Sequence, residues 1–407
     1  MALLPIPSLQ AQALSQQLSD LIQQKIKNAG GWINFADFMH MALYTPELGY
    51  YSGGALKFGQ AGDFVTAPEI SPLFAKTLAR QAAQILVAKQ GDQPNSNILE
   101  LGAGTGKLAA DLLLELQVLD ALPSQYFILE VSGHLRQIQR ETLQQKLPME
   151  LFERVVWLDA LPPSQLERGG WGEGSKGFNG LILANEVLDA IPVHLIVNTA
   201  QGLQELGVAF KNEFIWQDKP LQKGKLYDDV SSYFLPMDYL TEFCPAALGL
   251  MYSLLKCLKQ GVILMIDYGF SAREYYHPQR NLGTLMCHYQ HYAHTNPLIN
   301  IGLQDITAHV NFTQIAQIAH LDMPGEPHGI RLAGYVNQAQ FLINCGILDI
   351  LAQTSPADMA AYAPLAAAAQ KLLSPAEMGE LFKVIALSKN VDAPLLGFKS
   401  GDKAHTL

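Results

Sequence analysis

Residues 97–107 read NILELGAGTGK, and this stretch restricts the fold more than any other. Ile98, Leu99 and Leu101 form a short apolar run of the kind that becomes a buried parallel strand. The run stops at Gly102, Gly104 and Gly106, after which Leu108, Leu112, Leu113 and Leu116 repeat at helical spacing. Strand, glycine turn and helix in that order let a ligand lie against bare backbone at a helix N-terminus. A P-loop requires four residues between its first glycine and Gly-Lys, followed by Ser or Thr. Here three residues separate Gly102 from Gly106, and Leu108 follows Lys107. A dinucleotide fingerprint would need its third glycine where Lys107 stands. What remains is E-x-G-x-G-x-G, opened by Glu100. A glycine-rich turn without a ligand is the plain alternative.

Four further apolar runs follow the same logic. Residues 126–131 (YFILEV), 155–158, 180–184 (GLILA) and 261–266 (GVILMI) each read as a short buried strand, most of them separated by helical patterns. Together with the first they predict a parallel α/β sheet. Glu100, Glu130, Asp159, Asn185, Glu186 and Asp267 all stand at strand C-termini, the edge along which open α/β sheets bind ligands. Glu130 lies 24 residues past Gly106, where such a sheet places the carboxylate that holds an adenosine ribose.

Before the glycines, Leu14, Leu18, Leu21, Ile22 and Ile26 predict a helix ended by Gly30 and Gly31, and Asn34 is placed to cap a second helix to about Leu43. Residues 45–74, rich in Gly, Pro and aromatics, read as a lid or binding loop, against the alternative of a surface loop held by its own aromatics. Residues 71–89 resume as a helix. Alternating apolar positions in 197–221 suggest an antiparallel excursion. In 284–312, His288, His291 and His294 cannot share a metal if the segment is a strand, because period two turns His291 to the other face. Asp305, Thr307 and His309 are two apart and could share one face of a strand. Residues 334–370 read as a helical insert, Pro375 as the start of a last helix, 381–387 (LFKVIAL) as a late strand returning to the sheet, and 399–407 as a mobile polar tail.

Composition narrows the function classes. With 49% hydrophobic and 16% charged residues the chain is ordinary globular protein, long enough at 407 residues for one large domain or two. A net charge of −10 argues against nucleic acid as the main partner. No apolar run reaches membrane-spanning length. Four cysteines without a C-x-x-C pair suit reduced thiols, and the first basic residue is Lys25, so the expected location is cytoplasmic.

The acidic E-x-G-x-G-x-G resembles motif I of the class I S-adenosyl-L-methionine methyltransferases, and the whole chain is similar to their MidA-type group. TPELGYYS, GDFVTAPEIS, LELGAGTG, LANEVLDAIPVH, IDYG, GTL with QDITAHVNF, and MGELFKVIALS carry that likeness. The mitochondrial member of the group is a complex I assembly factor that acts as a protein arginine methyltransferase. The resemblance implies an α/β, Rossmann-like class I methyltransferase sheet with an N-terminal lid and an additional, mostly helical insert domain. The expected division is 1–74 for the N-terminal helices and lid, 75–275 for the cofactor-binding domain, 276–376 for the insert, and 377–407 for the final strand and tail. S-adenosyl-L-methionine is the implied cofactor, with no metal. Glu100, Gly102, Gly104 and Gly106 match motif I, Glu130 the ribose acid, Asp159 the acid near the adenine, and Asn185 with Glu186 the motif after strand four. No mitochondrial targeting segment is expected from the N-terminal residues, and the stretch after GTL is His-rich where basic residues are the family's expectation.

Arginine chemistry adds the catalytic expectation. A guanidinium stays protonated and its nitrogen lone pairs are delocalised, so transfer needs carboxylates that grip the fork and accept the proton. Glu186 is placed for this, with Asp189 one turn on and Glu69 in the expected lid. A protein is the expected substrate. A small-molecule methyltransferase and a non-catalytic assembly chaperone that keeps the fold are the two alternatives.

Overall fold

The apolar runs around the glycine turn pair with one another as neighbouring strands of one sheet. In the computed structural model, which describes residues 4–53, 66–87, 96–162, 177–320 and 329–407, the chain divides into two units. The sheet unit takes Val65–Val187, Leu250–Ser271 and Asn311–Leu407; the antiparallel unit takes Met1–Phe64, Leu188–Gly249 and Ala272–Val310. Residues 276–310 thus belong to the antiparallel unit and 311–376 to the sheet unit. Residues 54–65, on which much of the expected lid falls, lie outside the described residues.

The sheet unit is built on β1 (Asn97–Leu101), β2 (Tyr126–Leu129), β3 (Val155–Leu158), β4 (Phe178–Asn185), β5 (Leu258–Phe270), β6 (Ile330–Asn337) and β7 (Phe382–Lys389). They lie in the order β3-β2-β1-β4-β5-β7-β6. The five strands from β3 to β5 are parallel, and β7 runs antiparallel to both β5 and β6. The result is an α/β fold with a mixed sheet. Helices Pro72–Val87 and Lys107–Val118 bury Phe74, Leu78, Leu112 and Leu116 in one core with Ile98, Leu183 and Leu264 of the strands. That two-sided burial is why the strands read as near-continuous apolar runs.

Three expectations for the C-terminal part are corrected. Residues 334–337, placed in a helical insert, belong to β6, and the helices begin only at Gln338–Asn344 and continue with Ile347–Leu351 and Met359–Leu373. β6 hydrogen-bonds along most of β7, and that ladder overrides the helical reading of a short segment. Phe341, Leu342, Ile347 and Leu372 of these helices join the same core as the parallel strands. Pro375 starts no helix: Glu377 N and Gly379 N both bond Ser374 O, closing a turn that delivers the chain to β7. A Cβ on Gly379 would stand 2.2 Å from Leu373 O, so this turn requires glycine. The tail is ordered rather than mobile. Tyr335 N donates to Asp402 Oδ1 (2.9 Å) and Lys403 N to Tyr335 O (2.7 Å), so the tail covers the open edge of β6.

The antiparallel unit begins with helix Leu9–Asn28 and with helix Phe35–Tyr44, where Asn34 Oδ1 caps Asp37 N at 2.7 Å as expected. Its larger sheet orders Ile33–Asn34, Gly202–Phe210, His194–Thr199 and Tyr239–Phe243, with Phe214–Pro220 also on Gly202–Phe210. This is the expected excursion. A smaller sheet pairs Met286–Tyr289 with Tyr292–His294 and Asp305–Thr307. Its hairpin turn puts Gln290 (φ 47°) and His291 (φ 66°) in the left-handed region. His288 and His294 lie on paired strands and His291 in the turn between them, and among the described residues no three His, Cys, Asp or Glu form a metal cluster. Asp305 and Thr307, expected on one strand face, are buried, and Asp305 accepts from Tyr51 Oη at 2.8 Å.

Candidate cofactor and catalytic site

At the end of β1 the backbone turns left-handed at Gly102 (φ 60°), Gly104 (φ 53°) and Gly106 (φ 82°) before helix Lys107–Val118 starts. L side chains avoid that region, at a cost of about 1–2 kcal/mol per residue. The space at two of these positions differs. A Cβ on Gly106 would meet Gln139 Cα at 3.2 Å, whereas a Cβ on Gly104 would meet nothing within 4 Å among the described residues. Gly106 is therefore a packing glycine, and Gly104 leaves bare backbone beside open space.

Glu130, just past β2, is buried and fixed from two sides. Its Oε1 accepts from Ser132 N (2.9 Å) and its Oε2 from Gln139 Nε2 (3.0 Å). Burial pushes its pKa up, while these bonds and the Arg136 charge hold it down. Two carboxylate oxygens offer about four acceptor sites, so the bonds from Ser132 and Gln139, with the Val131 backbone amide beside them, leave capacity for a ribose hydroxyl.

Glu100 is placed differently. It is 2% exposed, its Oε2 accepts from Tyr126 Oη at 2.7 Å, and burial pushes its pKa up to about 7 against that hydrogen bond. Asp159 is exposed and pairs with Arg136 Nη1 at 2.6 Å. The same guanidinium donates through Nε to Glu130 O and through Nη2 to Leu158 O, both at 2.6 Å, tying the ends of β2 and β3 together.

β4 delivers Asn185 and Glu186. Glu186 has φ 55°, uncommon for a residue with a side chain, and such strain collects at functional positions. Its neighbours hold it there. Glu186 N donates to Ile266 O (2.9 Å) and Val187 N to Asp267 Oδ2 (3.1 Å), while Asp267 Oδ1 accepts from Tyr268 N (2.9 Å). Asn185 Nδ2 donates to Glu186 Oε1 (3.0 Å), which aims the carboxylate, and Asn185 Oδ1 is buried with no partner among the described residues. Glu69, on the short helix Ala67–Ile70, meets the glycine turn: its Oε1 accepts from Thr105 Oγ1 at 2.6 Å. Asp189 falls in the antiparallel unit, where it is buried and its carbonyl accepts from Ala308 N at 3.0 Å.

The sequence reading passed over Gln139. Its Nε2 bonds both Glu130 Oε2 and Gly104 O (3.1 Å), and its Oε1 accepts from Trp157 Nε1 (3.0 Å). One signal was available. In helix Gly133–Lys146 the buried stripe is Leu135, Gln139 and Leu143, a polar residue at an apolar position. Asp267 stood among the strand-end acids, but its role in shaping the backbone after β4 needs coordinates.

A left-handed glycine beside open space, a buried carboxylate with spare acceptor sites and an orphaned buried amide oxygen fit an adenosine-bearing cofactor with an amino-acid tail. The comparisons with known proteins agree. A family described as "Putative S-adenosyl-L-methionine-dependent methyltransferase" matches residues 77–330. The mitochondrial protein arginine methyltransferase NDUFAF7 of Mus musculus is 30% identical, over 92% of this chain and 86% of its own. That of Homo sapiens is 28% identical, over 90% and 82%. A crystal structure described as a "likely methyl transferase from Burkholderia thailandensis bound to S-adenosyl-homocysteine" superposes with a TM-score of 0.90 at 45% identity, covering 100% of both chains. A native structure from the same organism gives 0.88 at 44%, also over 100% of both.

Proposed function

The chain belongs to the family of S-adenosyl-L-methionine-dependent methyltransferases and its cofactor is S-adenosyl-L-methionine, and from that premise we propose that the methyl acceptor is an arginine side chain of a protein. The observation that carries this reading is Glu186, a carboxylate at the end of β4 held at φ 55° and aimed by Asn185. The names of the curated relatives, similar over most of this chain, support it.

Glu130 would hold the ribose, the bare backbone at Gly104 would lie against the amino-acid part, and Asn185 Oδ1 would accept from its ammonium. When bound, the cofactor supplies a methyl group on a sulfonium, already activated for transfer to a nitrogen. The protein's part is to present that nitrogen. A carboxylate at Glu186 pairs with the planar guanidinium through charge-assisted hydrogen bonds, localises electron density on one nitrogen and accepts the proton that nitrogen releases. Glu69, bonded to Thr105 on the glycine turn, is the second candidate acid on this unit. Asp189 stands in the other unit and is kept as an acceptor-orienting candidate there.

The test uses purified protein, methyl-labelled cofactor and an extract from cells lacking the enzyme. Label should appear in methylarginine after protein hydrolysis. Glu186→Gln should bind S-adenosyl-homocysteine as the wild type does while transfer falls by about 10²–10⁴-fold, the usual size of a general-base contribution. Full activity in that variant, or label confined to a metabolite, would overturn the assignment.

A further inference from the structure

Gln139 is fully buried in the sheet unit, yet no residue expected at the cofactor site depends on it by sequence. Its side-chain amide has one acceptor oxygen and two donor hydrogens, and all are used. Trp157 Nε1 can only donate, so its bond to Oε1 fixes which end of the amide is oxygen. The NH₂ end is thereby turned to Glu130 Oε2 at 3.0 Å and Gly104 O at 3.1 Å. One amide joins the carboxylate after β2 to the glycine turn after β1, and a Trp on β3 sets its direction. Gly106 completes the arrangement, because its missing Cβ, which would stand 3.2 Å from Gln139 Cα, eases the close approach of the turn to this residue.

We propose that Gln139 is a positioning residue for the cofactor: it holds Glu130 and the Gly104 peptide in one register, with Trp157 choosing the direction of its amide. A donor aimed at one carboxylate oxygen favours the ionised form of a buried acid and leaves its other lone pairs for the ribose hydroxyls. The bond to Gly104 O makes the ribose contact and the backbone contact depend on one side chain. Glu130 is faced by Arg136 on the helix that carries Gln139, by Glu100 on β1, and by the backbone amide of Ser132; Asp159 reaches this group through Arg136.

The experiment is calorimetric titration with S-adenosyl-homocysteine, so no methyl acceptor enters it. Gln139→Met keeps the length and removes the bonds; Kd should rise about tenfold, the size expected for one hydrogen bond to a charged group. Gln139→Glu supplies the readout that a purely structural role would not move. It sets a second carboxylate against Glu130, and two such groups share a proton rather than both ionise. Binding in that variant should therefore weaken from pH 6 to pH 8 by about tenfold more than in the wild type. Trp157→Phe frees the amide to turn and should weaken binding severalfold, and it decides the matter if Gln139→Met fails to fold. Wild-type Kd in folded Gln139→Met, a wild-type pH profile in Gln139→Glu, or unchanged affinity in Trp157→Phe would each overturn the proposal.

Discussion

Glu130 and Glu100 are buried carboxylates, one just past β2 and one on the neighbouring β1, but their surroundings treat them differently. Glu130 accepts from a backbone amide and a side-chain amide and keeps acceptor sites free, whereas Glu100 is held by a single tyrosine hydroxyl. Replacing Glu130 with Ala should therefore cost about 1.5–3 kcal/mol of cofactor affinity, roughly ten- to hundredfold in Kd by calorimetry. A change under about threefold would place the ribose elsewhere. Glu100 also bears on stability. Burial raises its pKa to about 7, above the ordinary 4.5, so the folded state binds the proton more tightly than the unfolded chain. Its contribution is fully present below pH 4.5 and is lost as the pH rises through 7. Denaturant unfolding between pH 4.5 and 8 should show Glu100→Gln losing less stability than the wild type over that window; parallel profiles would contradict the assigned cause. The acids themselves were legible from their place at strand ends. Which of them keeps acceptor sites free and which is held by a tyrosine hydroxyl was not, because that depends on Tyr126, Ser132 and Gln139 arriving from elsewhere in the chain.

At the scale of elements, the glycine turn acts through space as well as conformation. Gly104→Val puts a Cβ where none of the described residues stands within 4 Å, so the fold should bear it at the left-handed cost of about 1–2 kcal/mol. The same side chain enters the space beside the bare backbone. The expected outcome is a folded protein by circular dichroism with no measurable cofactor binding; retained binding would mean that the ligand lies elsewhere. The parallel strands were readable because burial on both faces leaves unbroken apolar runs. β6 and the C-terminal tail were harder. β6 became a strand through pairing with β7, and the polar tail is held by bonds to Tyr335, and neither partner is close in sequence. Pro375 marked a boundary correctly, but the turn closed on Gly379 leads into a strand instead of a helix.

For the molecule as a whole, membership in the methyltransferase family and its cofactor rest on nearly the full chain, and the arginine acceptor is the step that most needs measurement. The interleaving of the two units was not legible, since the chain leaves the sheet unit after Val187, returns at Leu250, leaves again after Ser271 and returns at Asn311. Local patterns identify strands and helices but not which excursion closes into which unit. Tandem mass spectrometry of proteins from cells with the gene, without it, and carrying Glu186→Gln tests the central claim most directly. The account predicts at least one methylarginine that is present with the wild-type gene and missing from both other strains. Identical protein arginine methylation in all three would contradict it.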